Sequence, residues 1–368
     1  MMKILIMGFA KIKFMPYMNF YLDNLNKDED EIHVLYWNRD LKDEDLSRYE
    51  GCIFHELRCL QDDDVARVSK VKSFIKYRRH AKRLLKNENF DFIFVLHSLP
   101  GVLLSDVLKK KYRGRYIFDY RDSTYEGFAP YKRIIAAVTR NSAATFVSSD
   151  AFRVFLPEDC KEKIFTSLNF HPSSLDHRAD ATKGTTSQNR IRVSFWGFIR
   201  HEEINKEIIK KFAADDRFEL HYYGREQDVA KNLKQYALSL SATNVFFHGE
   251  YAPDDRYEFI KSTDIIHNLY SLTEKPFMAH AMPNKYYDGV IFSIPQICTT
   301  GSFMAQKAER AGIGFSCDPF DSDFTEKVFE YYKSLDHARF SDLCRLELDR
   351  VLSEYNEGIK IIKKEVYG

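Results

Sequence analysis

The chain alternates. Short apolar runs rich in Ile, Val, Leu and Phe are each followed by a segment with helical periodicity; the series starts at residue 3, stops at a polar stretch near residue 182 and restarts at residue 192. Apolar runs without polar alternation suit strands covered on both faces, and alternation with helices makes such strands parallel. In the first half, strands are expected at residues 3–7, 32–37, 52–57, 90–96, 115–119 and 144–148, with helices at 15–25 and 101–111. In the second half they are expected at 192–196, 218–223, 245–248, 264–269, 296–300 and 314–316. The helices there fall at 202–213, 228–239 and 254–261, between Pro283 and Pro295, and from 323 onward. The expected class is α/β, with two Rossmann-like doubly wound parallel-sheet domains. Residues 1–181 form the first, 182–190 a linker, and 191–368 the second, whose last helices cross back to the first.

Composition narrows the function. A chain of 368 residues suits two domains better than one core, and 30 Phe with 22 Tyr supply apolar mass for both. A net charge of +1 lacks the basic excess of a nucleic-acid binder, so no nucleic-acid partner is expected. The opening Met-Met-Lys-Ile-Leu-Ile-Met-Gly is too short for a signal peptide and reads as a first strand. No run approaches the roughly 20 apolar residues of a membrane span. Cys52, Cys59, Cys160, Cys298, Cys317 and Cys344 form no Cys-x-x-Cys pair, which suggests neither a zinc site nor a disulfide framework and points to the cytoplasm. The loop after the first strand lacks Gly-x-Gly-x-x-Gly, which argues against a dehydrogenase.

One segment departs from neutrality. Between Lys70 and Lys86 lie eight Lys or Arg and no acid, with Val71, Phe74, Ile75, Ala81, Leu84 and Leu85 at helical spacing. The pattern predicts an amphipathic helix, apolar stripe inward and basic rim outward. Such a rim suits an anionic membrane surface, hence a peripheral place on the inner face of the membrane.

The chemistry is expected around residues 282–300. Pro283 suits a first helical turn, and behind it Lys285 and Asp288 lie three apart and Asn284 and Asp288 four apart, so the three can face one ligand. Tyr287, Val290, Ile291 and Ile294 take the opposite, core side. A helix N-terminus with a lysine beside it suits phosphate, and a carboxylate one turn on can hold a vicinal diol. A solvated helix start with an i,i+3 ion pair has the same spacing. Strand 192–196 runs into Gly197-Phe-Ile-Arg200 just before a helix, where glycine lets the backbone approach phosphate and Arg200 can pair with it. In the first half, His97 closes the fourth strand and Asp119-Tyr-Arg-Asp122 the fifth. Either His97 or, preferably, Asp122 can assist a hydroxyl.

Asp288, seven residues before Pro295 and the run Gln-Ile-Cys-Thr-Thr, resembles the second acid of the Glu-x7-Glu motif of retaining GT-B glycosyltransferases. Pro-Asn-Lys-Tyr-Tyr-Asp resembles a variant found among bacterial capsular and exopolysaccharide glycosyltransferases. The resemblance implies two sheets facing across a cleft and a sugar moved, with retention, from a nucleotide-sugar donor to a polysaccharide or lipid-linked saccharide acceptor. It implies ribose on Asp288, diphosphate on Lys285 and Arg200, and the base near Gly224, Arg225 and Gly249. Gly197 and Asn284 complete the donor side, and the acceptor meets His97 and Asp122. The first acid of the motif falls on His280 and the usual glycine before the proline on Ser293, two departures. The nucleotide-sugar is a co-substrate, so no cofactor is expected. No metal is expected either, because Asp28/Asp30, Asp43/Asp45 and Asp62/Asp64 lie in charged surface runs and Asp321/Asp323 opens a late helix. Two other readings share the pattern: a sugar-nucleotide epimerase, and a catalytically silent sugar-nucleotide binder in a polysaccharide assembly complex.

Overall fold

The computed structural model describes residues 1–61, 67–178 and 190–368. All of the expected linker but Arg190 lies outside them. Contacts divide the chain into Met1–Leu168 with Ser353–Gly368, and Asn169–Leu352.

The first unit holds β1 (Lys3–Met7), α1 (Met18–Leu22), β2 (Glu31–Asn38), β3 (Cys52–Arg58), α2 (Arg67–Asn87), β4 (Phe92–Leu96), α3 (Ser98–Leu103), α4 (Ser105–Lys111), β5 (Tyr116–Tyr120), α5 (Ala129–Asn141), β6 (Ala144–Val147) and β7 (Ile164–Thr166). Its seven strands are all parallel, in the order β3-β2-β1-β4-β5-β6-β7. Every residue of β4 and β5 is buried, as strands between two helical layers are; β4 is apolar throughout, and the one acid of β5, Asp119, is paired with Arg121 at 2.9 Å. Ile6, Val34, Phe94 and Phe146 meet in one core, which Ile362 and Val366 complete. Three expectations change here. The helix foreseen at 15–25 is only α1, preceded by a 3-10 turn at Ile12–Phe14, since Pro16 intervenes. The helix foreseen at 101–111 breaks at Leu104 into α3 and α4. On α2, Val71 and Ile75 point outward, 54% and 44% exposed, while Ser73, Tyr77, Ala81, Leu84 and Leu85 form the buried face.

The second unit holds β8 (Ile191–Trp196), α6 (Glu202–Ala213), β9 (Phe218–Tyr223), α7 (Asp228–Ser239), β10 (Val245–Phe247), α8 (Arg256–Lys261), β11 (Ile265–Asn268), α9 (Asn284–Phe292), β12 (Gln296–Thr299), α10 (Phe303–Ala311), β13 (Gly314–Cys317) and α11 (Phe324–Lys333). Its six strands are parallel in the order β10-β9-β8-β11-β12-β13. Chain order therefore reverses between β8 and β11, as it does between β1 and β4 in the first unit. At such points the loops leave in opposite directions and open a crevice at the strand C-termini. The last helix, α12 (His337–Tyr367), packs Phe340, Cys344 and Leu348 within the second unit; its residues from Ser353 belong to the first.

Candidate functional site

The crevice of the second unit is floored by a row of three glycines. Gly197 follows β8 directly at φ 116°, and its N–H donates to the Tyr223 carbonyl at 2.9 Å. The Gly224 N–H donates to the Gly249 carbonyl at 2.8 Å, and a Cβ on Gly224 would stand 2.1 Å from the Gly197 oxygen. No side chain fits there. Asn205 on α6 fixes the loop that follows: its Nδ2 donates to the carbonyls of Arg200 at 2.6 Å and His201 at 3.0 Å, and its Oδ1 accepts the Tyr222 hydroxyl at 2.9 Å. Arg225 lies exposed just beyond Gly224.

Beside this loop is a cavity of about 180 Å³ lined by Phe195, Phe198, Arg200, His201, Asn205, Leu269, Tyr270, Met278 and Lys285. Arg200 and Lys285, expected to act together, thus share one cavity. Lys285 is buried: its Nζ donates to the Trp196 carbonyl at 2.9 Å and stands 4.0 Å from the Phe195 ring centre and 5.4 Å from that of Tyr270. Burial holds this ammonium down at about 7 from its ordinary 10.5, against the smaller pull of Asp288. Arg200 is exposed, its guanidinium 4.1 Å from the Phe198 ring centre. His201 and His267 are both pushed down by burial, to about 4 and about 3, and so are neutral at neutral pH. His201 Nδ1 comes within 3.4 Å of Glu274 but is not aligned for a hydrogen bond. Arg200 therefore keeps the pocket cationic at any ordinary pH and Lys285 adds a second charge when protonated, and the pocket is smaller than the roughly 300–1,000 Å³ of a typical whole-ligand site. It suits a compact anion such as a diphosphate, with the remainder of a larger ligand outside.

The shared ligand face expected of Asn284, Lys285 and Asp288 does not form. Residues 285–292 of α9 are all buried, so each polar side chain has an internal partner. Asp288, 2% exposed, accepts the Trp196 indole N–H at 3.0 Å and faces Arg256 at 4.0 Å. Burial pushes its carboxyl up, and Arg256 and Trp196 oppose that. Asn284 Nδ2 lies 2.9 Å from His171 Nε2. Pro283 stands at the N-cap in extended conformation, one position before its expected place. His280 follows a 3-10 turn, its N–H bonded to the Phe277 carbonyl at 2.9 Å; it does not line the cavity, whereas Met278 does.

In the first unit His97 and Asp122 do come together at the ends of β4 and β5, with Nε2 3.9 Å from Oδ2. His97 has φ 84°, and its Nδ1 accepts the Leu99 N–H at 3.3 Å, which leaves the ring proton on Nε2 facing the acid. Burial lowers the imidazole, so it is neutral near pH 7. Asp122 is half exposed and its oxygens carry the available lone pairs, which makes it the better proton acceptor of the two.

The sequence matches no protein-family model and no curated protein. Solved structures do match along the whole chain. Sucrose-phosphate synthase from Thermosynechococcus elongatus aligns with a TM-score of 0.71 at 12% identity, over 100% of this chain and 98% of that one. HepE from Anabaena, solved with UDP and glucose, gives 0.65 at 13% identity over 99% and 100%. WaaG, a glycosyltransferase involved in lipopolysaccharide biosynthesis, gives 0.60 at 12% over 98% and 99%. The fold is that of the GT-B glycosyltransferases. Within it, Trp196, Asn205, Arg256 and Tyr270 shape the site unforeseen from the sequence. Trp196 alone carried a signal, as one of two tryptophans and the last residue of a strand that enters a glycine turn. Among the described residues no cluster of three His, Cys, Asp or Glu is arranged to hold a metal, and no helix is long and apolar enough to cross a membrane.

Proposed function

We propose that the chain is a glycosyltransferase whose second unit grips the diphosphate of a nucleotide-sugar and whose product is an extended polysaccharide or lipid-linked saccharide. The observation that carries this is the pairing of a buried lysine and an exposed arginine in one cavity where β8 and β11 diverge. Charge grows on the β-phosphate as the glycosidic bond breaks. Arg200, and Lys285 in the protonated form that an adjacent diphosphate favours, stabilise that charge, which is electrostatic catalysis without a metal under the diphosphate. The row Gly197, Gly224 and Gly249 leaves backbone open for the nucleoside, and Arg225 lies at its rim. Asp122 takes the acceptor proton while His97 holds it in place. Retention at the anomeric carbon follows the motif resemblance of residues 283–288. Asp288 serves here through Trp196 and Arg256, and a ribose contact requires one of its oxygens to be released. HepE, which shares the fold and was solved with UDP, makes uridine the first base to test.

Thermal shift with UDP, GDP, CMP and dTDP, alone and as sugar conjugates, tests the reading. A ligand at 100 times its Kd stabilises the folded state by about 2.7 kcal/mol. One nucleotide should raise the melting point of the wild type and not of Arg200→Ala. If none of them does, the donor assignment falls. Acceptor-dependent release of the nucleoside diphosphate then separates a transferase from an epimerase, and binding without turnover marks a silent binder.

A further inference from the structure

The outer face of α2 has a chemistry that the donor site does not use. Lys72, Lys76, Arg79, Arg83 and Lys86 are all exposed. At about 100° per residue they fall, together with the exposed Val71 and Ile75, in one arc of about 140°. None of these five cations makes an ion pair or hydrogen bond with a described residue. The others on the helix behave differently: Arg78 and Lys82 turn aside to share Asp106 of α4. Lys111 at the end of α4 reaches the Leu85 carbonyl at 2.8 Å and Asn89 at 3.2 Å, so the exposed Lys109 and Lys110 extend the basic field beside the last turns of α2. From Lys70 to Arg115 the chain carries thirteen Lys or Arg against three acids, although its whole net charge is +1. Like charges at i,i+3 and i,i+4 repel by roughly 0.2–0.5 kcal/mol a pair, so a stripe of five is a standing cost unless something anionic covers it.

We infer that this face of α2 docks on an anionic lipid surface, with its cations at the headgroups and Val71 and Ile75 below them. Two exposed branched apolar side chains at one edge of the stripe decide between partners. A bilayer gives them an apolar layer, whereas a nucleic acid or polyphosphate leaves them in water. The inference does not depend on what the second unit binds.

Co-sedimentation of the full chain with vesicles is the test, using phosphatidylcholine alone and phosphatidylcholine mixed with phosphatidylglycerol. The chain should pellet with the mixed vesicles and not the neutral ones. Lys72→Glu/Lys76→Glu/Arg79→Glu should lower that partition by about 100-fold or more, since each cation near such a surface contributes on the order of a fivefold gain. Val71→Ser/Ile75→Ser should also weaken it, most visibly at high salt where the charges are screened. Both variants replace exposed side chains, and an unchanged melting point confirms their folding. Equal partition into neutral and anionic vesicles, or none into either, overturns the proposal. So does binding to an RNA homopolymer as tight as to the mixed vesicles with the Val71/Ile75 variant unaffected on both, which would mark a general polyanion face.

Discussion

Replacing Lys285 with methionine should make the protein more stable and a worse binder of nucleotide. Burial moves this lysine from 10.5 to about 7, and at 1.36 kcal/mol per unit that is about 5 kcal/mol of charge cost carried at any pH below 7. Methionine matches the length of the stem and removes the charge, but it leaves the Trp196 carbonyl without its donor, a loss of about 1–3 kcal/mol. The net expectation at pH 6 is a gain of about 2–4 kcal/mol, which for a unit of this size is roughly 5–15 °C in melting point. The pH dependence has a definite sign. Between 7 and 10.5 the unfolded chain holds a proton here that the folded one has lost, so the wild type gains stability as pH rises. By pH 9 the charge cost is down to about 2 kcal/mol, and the advantage of Lys285→Met should be gone. Urea titrations at pH 6 and pH 9 measure the difference, and calorimetry with the nucleotide found by thermal shift measures the loss of affinity. A destabilised variant at pH 6, or an advantage that grows toward pH 9, refutes the electrostatic account. Unchanged affinity removes Lys285 from the diphosphate.

Asp288→Ala should cost about 3–5 kcal/mol of stability, because it strands Arg256, whose side chain is 13% exposed, beside a broken indole hydrogen bond. Adding Arg256→Met should restore part of that loss in urea titration, and a double variant no more stable than the single one would contradict the pairing. Asp122→Asn should lower the acceptor-dependent rate by roughly 100-fold or more, and His97→Gln by less, since only the carboxylate has free lone pairs; the reverse order in steady-state kinetics would exchange their roles. His201, His221 and His267 sit at about 4, 4 and 3 in the folded chain against an ordinary 6.5. Below pH 6.5 the unfolded chain therefore takes up protons that the folded one refuses, and each histidine should cost up to about 1.4 kcal/mol per pH unit. His267→Leu, which removes two ring nitrogens with no partner among the described residues, should stabilise the protein more at pH 5 than at pH 8 in urea titration; an equal gain at both would clear this histidine of the acid sensitivity.

Much of the fold was legible because parallel strands are short apolar words set between longer amphipathic ones, and twelve of the thirteen observed strands overlap a run read that way. The exception, β7, has three residues and lies at a sheet edge, too brief to show any period. On α2 the periodicity was right, and so was the face toward the C-terminal end, where Ala81, Leu84 and Leu85 are buried as expected, but the start of the stripe was misplaced. Branched apolar residues were assumed to face inward, yet Tyr77 and Ser73 took that side while Val71 and Ile75 took the other. Spacing marks which residues share a face. It does not say what the face meets.

The same limit governs the site. Glycine and arginine at a strand–helix junction, and a lysine just inside a later helix, pointed to one cavity that Arg200 and Lys285 do line. The role of the i,i+3 pair Lys285 and Asp288 was not legible, because their partner lies far off in sequence: Trp196 is 89 residues from the first and 92 from the second. A helix buried on every side must satisfy its polar groups internally. Here Lys285 takes the Trp196 carbonyl and Asp288 the indole N–H of the same residue, so α9 holds the end of β8 at both main chain and side chain. Gly197 leaves the sheet from that anchored point, and the loop from it carries Arg200 to the cavity. The two carry out different tasks: the lysine supplies charge at the floor, and the aspartate fixes the strand end from which the second charge departs.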